Sequence, residues 1–303
     1  MNRSFLSPAA RWSIATLAIV ALLPYTVLKL LWLGGSRIGM VPGSGTGNMQ
    51  DARMEIGNLI TVVLVVIGAI VVLALTQSWG QRLPWWVLVI PAAAATGALA
   101  PIALGLPVGA VLQAVTEGNV NSGGEGNLTG PVFAFVYGGF GVFGVALAIL
   151  FADYVQRRWS PVLAEGPRPP SQWGARALAA VCVIPFACAM IFWAFASEGM
   201  GLAGWESLAQ RVVLVVAALL ALLGCAALLA QGKRVPPRPR WLAGWLGCCT
   251  TAVQGPVMLL LAYDATVDAV LVVVTVLATP AAAWLGLSAI RRTNQAVSEA
   301  ASR

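Results

Sequence analysis

Eight stretches of this chain are each long and apolar enough to cross a lipid bilayer: Trp12–Leu33, Ile56–Leu75, Trp85–Leu104, Val132–Phe151, Ala177–Ala196, Val212–Ala230, Leu242–Ala262 and Val270–Ile290. A helix spanning about 30 Å of hydrocarbon needs roughly 20 such residues, because no water is present there to satisfy backbone N–H and C=O groups. Turn-rich segments separate the stretches, among them Gly43-Ser44-Gly45-Thr46-Gly47, Asn121-Ser122-Gly123-Gly124 and Pro236-Pro237-Arg238-Pro239. Such segments suit loops and not spans. The expected fold is all-α, a polytopic transmembrane helix bundle of about eight spans.

Composition leaves no other solvent for these helices. Only 10% of the residues are charged and 59% are hydrophobic, against roughly 25% charged in an average soluble domain. The first apolar stretch is too long for the core of a signal peptide and is not followed by a small-residue cleavage site, so it reads as the first span. Trp12, Trp32, Trp85, Trp86, Trp173, Trp193, Trp241 and Trp245 fall at or near span ends, where indole rings settle at the headgroup level.

The net charge of +7 is distributed as the positive-inside rule demands. With the N-terminus inside, fourteen of the eighteen basic residues lie in cytoplasmic segments, including Arg82, Arg157, Arg158, Arg168, Arg176, Arg238, Arg240, Arg291 and Arg292. Only Arg37, Arg53 and Arg211 lie outside, and Lys29 falls within the first span. Acidic residues show the reverse bias. Both termini are therefore expected in the cytoplasm. Basic residues at helix ends are explained by topology and anionic headgroups, which excludes nucleic acid as a partner and leaves the lipid bilayer as the first one.

Two copies of a four-span unit are discernible in the sequence. At an offset of 161, Pro24, Trp32 and Ser36 fall on Pro185, Trp193 and Ser197; at an offset of 155, Pro84, Trp86, Thr96, Pro101 and Leu104 fall on Pro239, Trp241, Thr251, Pro256 and Leu259. Arg157-Arg158 and Arg291-Arg292 close the fourth and eighth spans at an offset of 134. Pro and Trp are rare enough for such matches to carry weight. The expected organisation is a first repeat at 1–160, a cytoplasmic linker at 161–176 and a second repeat at 177–303, in parallel orientation because four spans is an even number.

Chemistry-bearing residues are few. Histidine is absent, and all five cysteines lie in apolar segments, where a free thiol behaves as a small hydrophobe. No phosphate-binding glycine loop, Ser/His/Asp set or metal-ligand cluster occurs, so neither an enzyme nor a bound metal or cofactor is expected. Lys29 is the one charged residue well inside a span, and ionisable groups there are by default candidate functional sites. Its side chain could instead snorkel to the interface or pair with Glu55, Glu117 or Asp264. Its counterpart in the second copy is Met190.

The matched prolines would kink helices and free carbonyls, so a cavity between the copies would be lined by Lys29, Tyr25, Thr96, Thr251 and Gln254. Asp264 and Asp268 read as solvated loop acids. Leu106–Val115, at the start of the longest outer loop, reads as an interfacial or re-entrant segment. Asn127-Leu128-Thr129 fits the pattern of a glycosylation acceptor.

The stretch Leu23-Pro24-Tyr25-Thr26-Val27-Leu28-Lys29-Leu30-Leu31-Trp32-Leu33-Gly34-Gly35 resembles uncharacterised actinobacterial polytopic membrane proteins, and the Ala/Val/Leu/Gly/Arg-rich vocabulary with two lysines is similar to that of high-GC bacteria. The resemblance implies a bacterial plasma membrane and carries no activity or site with it. Two functions are compatible with these features. One is a small transporter-like or permeation protein for a small-molecule ligand; the other is a non-catalytic membrane subunit or scaffold for a partner protein.

Overall fold

The structure, a computed structural model, describes residues 4–39, 52–118, 130–168, 170, 173–197, 200, 202, 205, 207–230, 235–260 and 267–302. Among them the elements are α1 (Pro8–Leu33), α2 (Ala52–Thr76), α3 (Trp85–Glu117), α4 (Gly130–Glu165), α5 (Trp173–Phe195), α6 (Leu208–Leu229), α7 (Pro237–Leu260) and α8 (Ala269–Ala301), with one 3-10 turn at Trp79–Gln81. All eight helices are long and apolar enough to cross a membrane. The fold is the all-α polytopic bundle that the sequence predicts.

Helices α1, α6 and α8 begin where a side chain satisfies their free N–H groups. Ser7 Oγ accepts from Ala10 N at 3.2 Å, with Pro8 in the first turn of α1. Ser207 and Gln210 form a reciprocal capping box on α6. Asp268 Oδ1 accepts from Val270 N at 2.7 Å and Leu271 N at 3.2 Å, so this carboxylate is the N-cap of α8. Asp264, its expected neighbour, lies outside the described residues, as does Asn127-Leu128-Thr129.

Three helices outrun the C-terminal ends of the predicted spans by more than ten residues. The segment Leu106–Val115, expected in a loop, is instead the last three turns of α3, which stops at Gly118. That glycine has φ +70 and donates to Ala114 O at 3.2 Å, the left-handed helix stop that glycine adopts without cost. The helix persists because Gly105 and Gly109 let it lie directly on α6: a Cβ at either would come within 3 Å of Val213 Cα or Ala209 Cα. Helix α4 runs on to Glu165 through a kink at Trp159 (φ −130, ψ 31). Pro161, two residues on, accounts for the kink, because its ring cannot coexist with the carbonyl four residues back. Helix α8 extends past Ile290 to Ala301.

The chain divides into two compact units, Met1–Ala92 with Glu125–Arg158, and Ala93–Gly124 with Trp159–Arg303. These differ from the repeat boundaries, since most of α3 groups with α5–α8. Within the second unit, α6 lies between α5 and α7, and α8 adjoins α5 and α7. Their core holds Phe186, Met190, Trp193, Leu214, Leu228 and Leu285. Helices α6 and α7 meet backbone to backbone: a Cβ on Gly247 would sit 2.3 Å from Leu220 O and 2.5 Å from Gly224 Cα. Lipid tails are as apolar as leucine, so helix association in membranes relies on such close van der Waals approach.

Within the first unit α1 and α2 are neighbours, and Gly139 brings α4 against the Ala21 carbonyl of α1. Leu28, Trp32 and Val136 form a small core flanked by Tyr25, Val132 and Phe140. Leu59, Val63, Val66 and Ile70 of α2 are all exposed. A full-length apolar stripe at this helical spacing is stable only with lipid as its solvent.

Candidate functional site

Lys29 leaves α1 one turn before its end at Leu33. Its Nζ donates to Asn58 Oδ1 of α2 at 2.7 Å and lies 4.6 Å from the Trp32 ring centre and 5.3 Å from that of Tyr25. Ring faces attract cations electrostatically. The rings are themselves fixed: Tyr25 packs edge-on against Phe140 at 4.7 Å, and Trp32 Nε1 donates to Ile38 O at 3.0 Å. Asn58 is only 4% exposed, and the hydroxyl of Thr61 donates to its backbone carbonyl at 2.8 Å.

Among the described residues no carboxylate forms an ion pair with Lys29. Glu55 is exposed, Glu117 accepts from Gln113 Nε2 at 3.1 Å, and Asp264 lies outside the described residues. The ammonium is therefore held between α1 and α2 by a neutral amide and two aromatic faces.

Of the five residues expected to line a cavity, Tyr25 and Lys29 come together here. Thr96, Thr251 and Gln254 belong to the second unit, on α3 and α7. Thr96 Oγ1 accepts from Trp245 Nε1 at 3.1 Å, and Thr251 Oγ1 donates to Gly247 O at 2.8 Å. Gln254 is 1% exposed, and among the described residues its Oε1 has no hydrogen-bond partner, like Oγ1 of Thr250 and Thr275. The usual solution for a helical threonine is donation to the carbonyl four residues back, seen at Thr26, Thr76, Thr116 and Thr293. Thr250 and Thr275 depart from it. Beside them, Pro256 frees the carbonyl of Ala252, and Thr279 Oγ1 of α8 donates to that oxygen at 3.1 Å. A cleft between Val183, Ala221, Cys225, Cys248 and Leu285 leaves no room for a water molecule.

Two polar clusters escape a reading of the sequence. Asp153, fully buried on α4, accepts from Ser4 Oγ at 3.0 Å and Leu6 N at 3.2 Å through Oδ1. Its Oδ2 accepts from Arg157 Nε at 2.9 Å, with Arg11 Nε at 3.8 Å. Arg157 also donates to Leu75 O at 2.7 Å, which ties α4 to the end of α2. Only the four-residue spacing of Asp153 and Arg157 hinted at this cluster.

The second cluster is Gln113, whose Oε1 accepts from Ala209 N at 3.3 Å and so caps α6 from α3. It stood in a segment expected to be a loop. Among the described residues no group of three or more His, Cys, Asp or Glu is placed to hold a metal.

The eight helices of membrane-spanning length and apolarity among the described residues define this chain as a multi-pass integral membrane protein. No protein-family model, curated protein or solved structure matches it.

Proposed function

We propose that this is a small transporter-like or permeation protein of a bacterial plasma membrane, and that it is not an enzyme. The observation that carries this reading is Lys29, an intramembrane ammonium held by Asn58, Tyr25 and Trp32 without a carboxylate among the described residues. Maintaining such a charge inside a span is costly, and charges of this kind mark substrate and ion pathways. Reconstituted in liposomes, the protein should carry at least one of a panel of small ions and organic acids. Lys29→Met should cut that flux about tenfold, equivalent to about 1.4 kcal/mol of lost interaction. Flux no faster than in protein-free liposomes across the panel would transfer the assignment to the alternative.

That alternative, a non-catalytic subunit or scaffold, is favoured by the close α6–α7 contact at Gly224 and Gly247 and by the water-excluding cleft beside it.

The parallel repeat belongs to the proposal. Supporting it, Ala18, Leu22, Leu28 and Trp32 of α1 are buried, and so are Ala179, Val183, Ala189 and Trp193 of α5, the same positions at the offset of 161. Val136, Phe143, Leu147, Leu150 and Tyr154 of α4 match Leu271, Ala278, Ala282, Leu285 and Ala289 of α8 in burial at an offset of 135, which aligns Arg157 with Arg292. That is one residue from the register suggested by the arginine pairs.

Both termini are assigned to the cytoplasm on the charge asymmetry. An impermeant maleimide should label Gly45→Cys and Gly123→Cys from outside intact cells and spare Arg82→Cys and Pro236→Cys; the reverse pattern would invert the assignment.

A further inference from the structure

We infer that Lys29 and Asn58 form a binding site for a small oxyanion, a carboxylate or a phosphate, at the seam of α1 and α2. This rests on the reading of Lys29 as the solute-engaging group and names the class of solute. An ammonium carries three N–H donors. One of them meets Asn58 Oδ1 at 2.7 Å, and that bond fixes the orientation of the amide. The two ring faces stabilise the charge without accepting it as an oxygen would. The remaining Lys29 donors and the amide N–H groups of Asn58 have no hydrogen-bond acceptor among the described residues.

The seam thus combines one positive charge and several free donors, with no carboxylate in ion-pair contact with Lys29 among the described residues. The Lys29 side chain is half-buried, deep enough for its charge to be weakly screened and open enough for a ligand to reach it. A charge removed from water requires a compensating partner, and the partner that completes this set is an anion with at least two acceptor oxygens. A cation would be repelled by Lys29, and a neutral apolar solute would leave the donors unmet.

The second half of the chain provides the contrast. The position that matches Lys29 is Met190, fully buried, and those matching Tyr25 and Trp32 are Phe186 and Trp193, also buried. The same framework there closes over an apolar side chain, so the charge is an addition to the α1 copy and not a requirement of the packing.

The oxyanion could come from a lipid headgroup or from solution, and the test separates the two. The full chain is placed in phosphatidylcholine nanodiscs and its thermal unfolding is followed with added acetate, with added inorganic phosphate, and in nanodiscs containing phosphatidylglycerol. One of these anions should raise the unfolding midpoint saturably by several degrees. Lys29→Met should abolish the rise, and Arg37→Gln, an exposed charge beyond the same helix end, should preserve it.

A rise confined to phosphatidylglycerol identifies a lipid headgroup: the oxyanion site then stands while the transport reading falls. A rise with a soluble anion supports both. Asn58→Asp guards against a misfolded Lys29 variant. It supplies the negative charge from within, so it should raise the midpoint without any added anion and remove the response to all three. Equal responses in the wild type and Lys29→Met, or no response in any arm, would overturn the site.

Discussion

Replacing Asp153 by alanine should lower the stability of the protein by about 3–5 kcal/mol, the usual consequence of stripping one partner from a buried ion pair. The carboxylate is fully buried and accepts three hydrogen bonds, from Ser4 Oγ, Leu6 N and Arg157 Nε. Removing it leaves the Arg157 guanidinium, whose side chain is 10% exposed, bonded among the described residues only to the Leu75 carbonyl. It also releases the segment before α1 from α4.

Asp153→Asn retains acceptors for Ser4 and Leu6 and should therefore lose less. Because Asp153 and Arg157 act as a unit, the double variant Asp153→Ala with Arg157→Ala should fall well short of the sum of the two single losses. Equilibrium unfolding in detergent micelles measures each value. A loss below about 1 kcal/mol for Asp153→Ala would place the cluster with exposed surface pairs and refute its role as a latch.

The second large effect is expected at Gly247. Its Cβ would come 2.3 Å from Leu220 O and 2.5 Å from Gly224 Cα. Both obstacles are backbone, so no rotamer change relieves them and helices α6 and α7 must move apart. Gly247→Ala should cost about 1–3 kcal/mol, and Gly247→Val more, from overpacking alone. Gly57 of α2 is the internal control: nothing lies within 4 Å of its would-be Cβ. Gly57→Ala should therefore stabilise by about 0.5–1 kcal/mol through helix propensity. If Gly247→Ala proves as benign as Gly57→Ala under the same assay, the intimate α6–α7 contact is wrong.

The spans were legible because hydrophobic length in a bilayer is a one-dimensional constraint. All eight helices fall where runs such as Ile56–Leu75 and Trp85–Leu104 predict them. Boundaries were less legible where polarity and helicity part company. Leu106–Val115 carries no sign of which helix will receive Gly105 and Gly109, and α4 passes Arg157 and Arg158 before kinking at Trp159. Asp268 read as a loop acid because capping depends on where the helix begins, which the short connection after α7 left open.

For the site, the unusual position of Lys29 was evident from charge alone, and so was its nearness to Tyr25 one turn earlier. Nothing in the sequence singles out Asn58 as its partner. Which face of α2 meets α1 depends on packing that the all-round apolar character of α2 does not encode. The Asp153 cluster was hidden for a related reason: four of its members, Ser4, Leu6, Arg11 and Leu75, lie far from it in the chain. Arginines counted toward topology, such as Arg157 and Arg240, turn out to spend their donors on backbone carbonyls at helix ends.

The sequence by itself determined that this chain lives in lipid, that it does so as about eight helices, and that one of them carries a lysine where a charge is expensive. These follow from solvent transfer and backbone hydrogen bonding, which act residue by residue. The tertiary structure decided that the lysine meets Asn58 and two rings in place of a carboxylate, and that Pro256's freed carbonyl is claimed by Thr279. It also decided that glycines at 105, 109 and 247 draw α3, α6 and α7 together. Those outcomes depend on which helix faces touch, and in a solvent as apolar as the helices themselves, close fit and individual hydrogen bonds make that choice.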